Sequence, residues 1–172
     1  MKKQKTINVS ALKKALKTGM TFIQLKENYV YLSDSHFVLK MPKFYYDEEI
    51  RSITNYFFTC DCTAQKNNDN EYKETTTDIK KFLDDCDNEN AVLTTVKVIY
   101  DIQHNMEVQI VKGKNLVALN TKYIEIMGSP FEWECTANGS KTPVVFNNSI
   151  CSLMILPINF NFEKISDIFK TE

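Results

Sequence analysis

One pattern occurs twice in this chain, once near each end, and it narrows the fold more than any other property. The first copy runs through Ile7-Asn8-Val9, a helical stretch at 11–18, an apolar strand from Phe22, another strand, and Val38-Leu39-Lys40-Met41-Pro42. The second runs through Leu116 to Leu119, a helical stretch at 121–127, a strand from Phe131, another strand, and Leu153-Met154-Ile155-Leu156-Pro157. Each copy predicts a β-α-β-β-β unit with a polar helix cap, a glycine stop and a strand that ends at proline. Two such units side by side would form curved antiparallel sheets with both helices on one face.

Local signals fill in this plan. Ser10 can cap the first helix, and Ala11, Leu12, Ala15 and Leu16 form one apolar stripe at helical spacing, closed by Gly19. Strands are expected at 21–26, 29–33 and 36–41, with Glu27-Asn28 and Asp34-Ser35 as the turns. Residues 43–58 are ambiguous, although Asp47-Glu48-Glu49 can open a helix carrying Ile50, Ile53 and Phe57. The polar, asparagine-rich stretch 63–76 has little to bury and reads as a mobile loop. Thr77 can cap a helix over 78–86, and 92–100 with 106–111 read as a strand pair. Asn120 can cap the second repeat helix, Asn138-Gly139 signals a hairpin, and Ile165, Ile168 and Phe169 can dock a short helix in the tail. The whole, 1–172, reads as a single α+β domain with repeat units at 6–42 and 115–158 and an insertion at 43–114.

Charge is unevenly placed although the net charge is only −1. Residues 1–43 hold nine lysines against Glu27 and Asp34, whereas residues 61–90 hold nine acids against four lysines. A basic end and an acidic middle point either to an anionic partner for the first part or to solvated surface. The longest strongly apolar run, Leu153 to Ile158, is too short to cross a bilayer, and the lysine-bearing N-terminus lacks the apolar core of a signal peptide. A cytoplasmic chain is expected, with the five cysteines as reduced thiols.

Three segments, Val117-Ala118-Leu119-Asn120-Thr121-Lys122-Tyr123-Ile124, Thr142-Pro143-Val144-Val145-Phe146 and Leu153-Met154-Ile155-Leu156-Pro157-Ile158, resemble the last domain of bacterial DNA sliding clamps. Ile7 to Lys17 is similar to the opening strand and helix of a clamp domain. The resemblance covers about 6–42 and 115–158 and implies a DNA-clamp-like fold, whose paired helices face duplex DNA through non-specific phosphate contacts. The residues it singles out here are Lys13, Lys14 and Lys17, opposite the Leu12, Ala15 and Leu16 stripe, with Lys122 at the flank of the second helix. That second helix departs from the family, because Thr121 and Glu125 would face outward. The basic residue expected after the closing proline is also replaced by Ile158-Asn159. A clamp ring uses six such domains, so one chain of this length would have to oligomerise or use the fold otherwise. The family's partner-peptide groove lies between domains, so no residue of it is carried over. The implied partners are duplex DNA, a second copy of the chain, or a replication or host protein, in replication or phage DNA metabolism. A regulatory or protein-interaction module that lost the DNA face, using the acidic 61–90 segment, is the alternative.

No catalytic motif stands out, no glycine-rich phosphate loop is present, and no cofactor is implied. Cys60-Asp61-Cys62 with Cys86 and His104 lacks the second close ligand pair of a structural zinc site, so no metal is expected. Asp84, Asp85 and Asp87 read as a solvated helix exit. Trp133 and Phe44-Tyr45-Tyr46 read as core and edge packing.

Overall fold

The computed structural model describes residues 6–17, 20–86 and 88–169. In chain order the elements are α1 (Val9–Leu16), β1 (Phe22–Lys26), β2 (Tyr29–Ser33), β3 (Phe37–Pro42), α2 (Lys43–Tyr45), a π turn (Tyr46–Ile50) and α3 (Arg51–Thr54). Then come β4 (Cys62–Lys66), β5 (Tyr72–Glu74), α4 (Ile79–Asp84), β6 (Glu89–Asp101), β7 (Met106–Lys112) and β8 (Leu116–Asn120). The chain continues with α5 (Thr121–Ile124), β9 (Glu134–Ala137), β10 (Val144–Asn147) and β11 (Ser152–Ile155), with 3₁₀ turns at Pro130–Glu132 and Phe162–Phe169.

The eleven strands form one sheet in the order β5-β4-β1-β2-β3-β11-β10-β9-β6-β7-β8. Its centre is palindromic: β1, β2 and β3 of the first unit mirror β9, β10 and β11 of the second. The two units meet at the antiparallel pair β3–β11, where Leu39 stands opposite Leu153 and Val38 opposite Met154. The helices that precede these strands also meet. Asn8 N–H donates to the Ile126 carbonyl at 2.8 Å, and Ile7 bridges Met127. Leu12, Ala15, Tyr123 and Ile124 pack into the same apolar core as Leu39, Phe146 and Leu153. Both repeat helices therefore lie on one face, as the clamp-like plan requires.

The opposite face is covered as well. Tyr31, Val38, Val145 and Met154 form a second apolar cluster with Ile79 of α4. Strands buried on both faces read as continuous apolar runs, which is why Tyr29-Val30-Tyr31-Leu32 and Phe37-Val38-Leu39 do not alternate. A third cluster packs Val108, Ile110 and Ala118 against Ile165, Phe160 and Phe162 of the tail.

Several local expectations are corrected. The opening strand of the first unit shrinks to the single Ile7 bridge, and α1 starts at Val9 because the Asn8 side chain, not Ser10, accepts from Ala11 N–H. Residues 63–76, expected as a loop, contribute β4 and β5, because the backbone of Cys62 to Gln65 pairs with β1 and supplies hydrogen bonds that composition does not reveal. Residues 43–54 are helical with a π turn at Tyr46–Ile50, whose first and last residues, Tyr46 and Ile50, are both buried in the core; Asn55, left-handed at φ 59°, ends the run. Asp78, not Thr77, stands at the N-cap of α4. The strand after α5 starts at Glu134 rather than Phe131, behind a 3₁₀ turn opened by Pro130. Asn138-Gly139 does not adopt a left-handed hairpin turn; Thr142 Oγ1 closes the loop instead, accepting from Gly139 N–H at 2.7 Å. Glu27-Asn28 does form the tight hairpin turn expected, with φ 55° and 66°. The Gly19 stop lies outside the described residues.

Candidate nucleic-acid interface

The repeat helix α1 is fixed from inside and open outside. Asn8 caps it, Leu12 and Ala15 are fully buried, and Gly128 N–H of the second unit donates to the Thr6 carbonyl beside its start. This holds the opposite side of the helix to solvent, where Lys13, Lys14 and Lys17 are all exposed. Among the described residues, none of the three is ion-paired, in contrast to Lys26, Lys43, Lys80 and Lys97, which each meet a carboxylate. Unpaired, hydrated ammonium groups in a row are suited to phosphates, since a lysine is a point charge with no fixed approach geometry.

The structure adds a cation that sequence reasoning missed. Lys13 and Lys17 line a groove of about 420 Å³ together with Lys66 of β4 and Asn67, Asn68 and Asn70 of the β4–β5 turn. Leu16, Ile53 and Tyr72 line the same groove. Asn67 holds the turn by accepting from Asp69 N–H (3.0 Å) and Glu71 N–H (2.8 Å) through its side chain. The signal for Lys66 was absent because the stretch reads as a loop until its pairing with β1 is known.

The second repeat helix presents a different surface. Thr121, expected to face outward, is buried, and its hydroxyl donates to the Glu107 carbonyl at 3.0 Å. Lys122 is half-buried, its ammonium 5.0 Å from the centroid of the Tyr123 ring. Glu125 is exposed. Tyr123 is nearly buried and hydrogen-bonded to the buried Asp34; burial, then the Asp34 charge, raises its phenol well above the ordinary tyrosine range. Asp34 in turn accepts from His36 N–H (2.9 Å) and Phe37 N–H (3.3 Å), and the His36 ring stacks on Tyr123 at 5.8 Å. The structure therefore groups Lys13, Lys14 and Lys17 on one helix and leaves Lys122 at the edge of the other.

A second concavity lies on the opposite face. Phe22, His36, Val38, Ile79, Phe82, Met154 and Leu156 line an apolar groove of about 310 Å³ between α4 and the β3–β11 seam. Phe82 remains 57% exposed there. The start of α4 is fastened by the buried Gln24, which accepts from Lys80 N–H (2.8 Å) and donates to Asp78 (3.1 Å). The hydrogen bond from Lys26, then that from Gln24, holds the Asp78 carboxyl below its usual range.

The remaining polar candidates are engaged locally. The Cys62 thiol lies 3.6 Å from the Tyr56 hydroxyl, Cys86 lies against Met154, and His104 is bonded to Asp101 at 2.6 Å. Among the described residues, no three His, Cys, Asp or Glu side chains are placed to share a metal ion. Burial pushes the thiols of Cys135 and Cys151 up to about 12, which keeps them protonated. Trp133 and Tyr46 are core residues, while Phe44 is exposed. No helix among the described residues is long and apolar enough to cross a membrane.

The sequence matches no protein-family model, and no characterised protein matches it in sequence. The solved structures similar to it include two that each have 12% identity and a TM-score of 0.43. One, from Eubacterium rectale, is assigned as a DNA polymerase III beta subunit; the similarity covers 82% of this chain and 57% of that one. The other is a Helicobacter pylori beta clamp bound to a DNA ligase peptide, with 96% of this chain and 69% of that one covered. The chain described here thus spans less than two thirds of the first of these proteins.

Proposed function

We propose that this protein is a clamp-like DNA-associated protein that contacts duplex phosphates without reading sequence, in the setting of DNA replication. The observation that carries this reading is the row of Lys13, Lys14 and Lys17, exposed and, among the described residues, without an ion pair, on a helix whose other side is locked into the core. Lys66 extends the row across the neighbouring groove. Contacts of this kind act through charge and counterion release, so retention on DNA should fall steeply with salt and be indifferent to base sequence. The test is retention on duplex DNA of random sequence between low and moderate salt, for the native chain and for Lys13→Glu/Lys14→Glu/Lys17→Glu. Loss of retention in the triple variant supports the reading. Equal retention, or none by the native chain at low salt, overturns it.

A second reading, an interaction module for a partner protein, is favoured by the apolar groove beneath α4. Its lining suits two or three apolar side chains of an extended segment, with Phe82 and Leu156 as the exposed rim. Fluorescence polarisation with short peptides carrying adjacent aliphatic and aromatic residues tests it. Binding that Leu156→Glu and Phe82→Glu abolish supports this use. Unchanged binding in both variants removes it.

A further inference from the structure

The groove between α1 and the β4–β5 turn holds more than phosphates require. Among the described residues its lining carries three cations, Lys13, Lys17 and Lys66, and no carboxylate. None of the three is ion-paired among those residues. Lys13 and Lys17 stand four residues apart on one side of the helix, about 6 Å along its axis. Lys66, half-buried on β4, faces them from the sheet.

The rest of the lining is of a different kind. Met20, Ile53 and Tyr72 give the groove an apolar side. Met20 is 55% exposed, and its thioether sulfur accepts from the Gln65 side-chain amide at 3.1 Å. Tyr72 is half-buried, its ring centroid 4.7 Å from that of Tyr56. Asn68 and Asn70 are exposed on the turn, and their side-chain amides have no hydrogen-bond partner among the described residues. The turn is closed without those two amides, because the Asn67 side chain accepts from the N–H groups of Asp69 and Glu71.

A duplex passing over α1 keeps its bases stacked inside and offers this groove only sugar and phosphate. The apolar side and the free amides would then have nothing to meet. A single strand presents base faces, which take apolar and aromatic contact, and base edges, which hydrogen-bond to amides able both to donate and to accept. At about 420 Å³ the groove is on the scale of sites that hold small organic groups.

We propose that this groove binds unpaired bases of a single-stranded nucleic acid segment where that segment leaves a duplex held on α1. Lys13, Lys17 and Lys66 hold its phosphates, Met20 and Tyr72 receive a base face, and Asn68 and Asn70 bind base edges. The inference rests on the phosphate reading of α1 and adds the class of nucleic acid that the neighbouring groove takes.

The test compares three probes by fluorescence anisotropy at low salt: a blunt duplex, the same duplex with a short thymidine overhang, and the same duplex with an abasic overhang of equal length. The two tails carry the same charge and differ only in their bases. The thymidine tail should bind about tenfold more tightly than the abasic one. Met20→Ala, and separately Asn68→Ala/Asn70→Gly, should each reduce that advantage several-fold and leave binding of the blunt duplex unchanged. All three side chains are exposed, and glycine suits the left-handed φ of 64° at Asn70. Equal binding of the two tails by the native chain overturns the proposal, as does a thymidine advantage that survives in both variants. Failure of the α1 reading shows separately, in the blunt duplex, as binding that is absent or indifferent to Lys13→Glu/Lys14→Glu/Lys17→Glu.

Discussion

The two repeat helices occupy matching places in the fold and do opposite work at the surface. Counted from their asparagine caps, Asn8 and Asn120, the third residue is buried in both (Ala11, Tyr123), and so is the fourth (Leu12, Ile124). The outward positions differ at every step. Lys13 corresponds to Glu125, Lys14 to the buried Ile126, and Lys17 to Ser129. α1, eight residues long, sets exposed Lys13 and Lys14, with Lys17 just past its end, on an apolar footing, whereas α5, four residues long, buries Thr121, Tyr123 and Ile124, with Tyr123 tied to Asp34. The inward pattern, which packs the core, is shared by both units. The outward pattern of exposed lysines is present in only one. The phosphate-binding surface proposed above would accordingly be one-sided, unlike the paired helices that the clamp resemblance implies.

The largest effect that can break this comparison is on DNA retention. Lys13→Glu/Lys14→Glu/Lys17→Glu should lower the slope of log affinity against log salt by about three, and affinity at low salt on the order of a hundredfold. Lys122→Glu, by contrast, should change the slope by less than about one, since that ammonium already lies over the Tyr123 ring. Equal effects from the two helices would erase the asymmetry.

The next effect is on stability and falls on α5. Tyr123→Phe removes a hydroxyl donor from the buried Asp34 carboxylate and should cost about 2 kcal/mol in chemical denaturation. Tyr31→Phe on the other face is the control. Its buried hydroxyl has no hydrogen-bond partner among the described residues, so its removal should be neutral or stabilising. Next in size are the caps. Asn8→Ala should cost about 1 kcal/mol, because the cap satisfies Ala11 N–H at the start of a two-turn helix. Asn120→Ala, in front of a single turn anchored by Thr121, Tyr123 and Ile124, should cost less.

The asymmetry itself was partly legible in the sequence. The Lys13, Lys14 and Lys17 row and the buried Leu12 and Ala15 stripe follow from helical spacing alone, and Glu125 already stood out as the wrong charge for a phosphate. The strands around the β3–β11 seam were legible as apolar runs between polar turns. What stayed hidden depends on contacts distant in sequence. Thr121 looks like a surface residue until β7 supplies the Glu107 carbonyl for its hydroxyl. Cys62 to Lys66 looks like loop until β1 offers a backbone to pair with. The groove beneath α4 needs Val38 and Met154 placed opposite each other on adjacent strands, a register that neither segment specifies by itself.

The smallest and sharpest test is to give α5 the charge of α1. Glu125 stands where Lys13 stands in the first unit, is exposed, and lines a groove of about 440 Å³ that also holds Asn8 and Lys97. Glu125→Lys would set a cation beside the start of α1 and close to Lys97. If phosphates run across both helices, as in the paired arrangement, the variant should bind DNA a few-fold more tightly, with a salt slope steeper by about one. If they follow α1 toward Lys66 and the β4–β5 turn, Glu125→Lys should leave retention unchanged while Lys66→Glu weakens it. The two substitutions together therefore decide which way the backbone leaves α1, and the exposed carboxylate at Glu125 favours the path through Lys66.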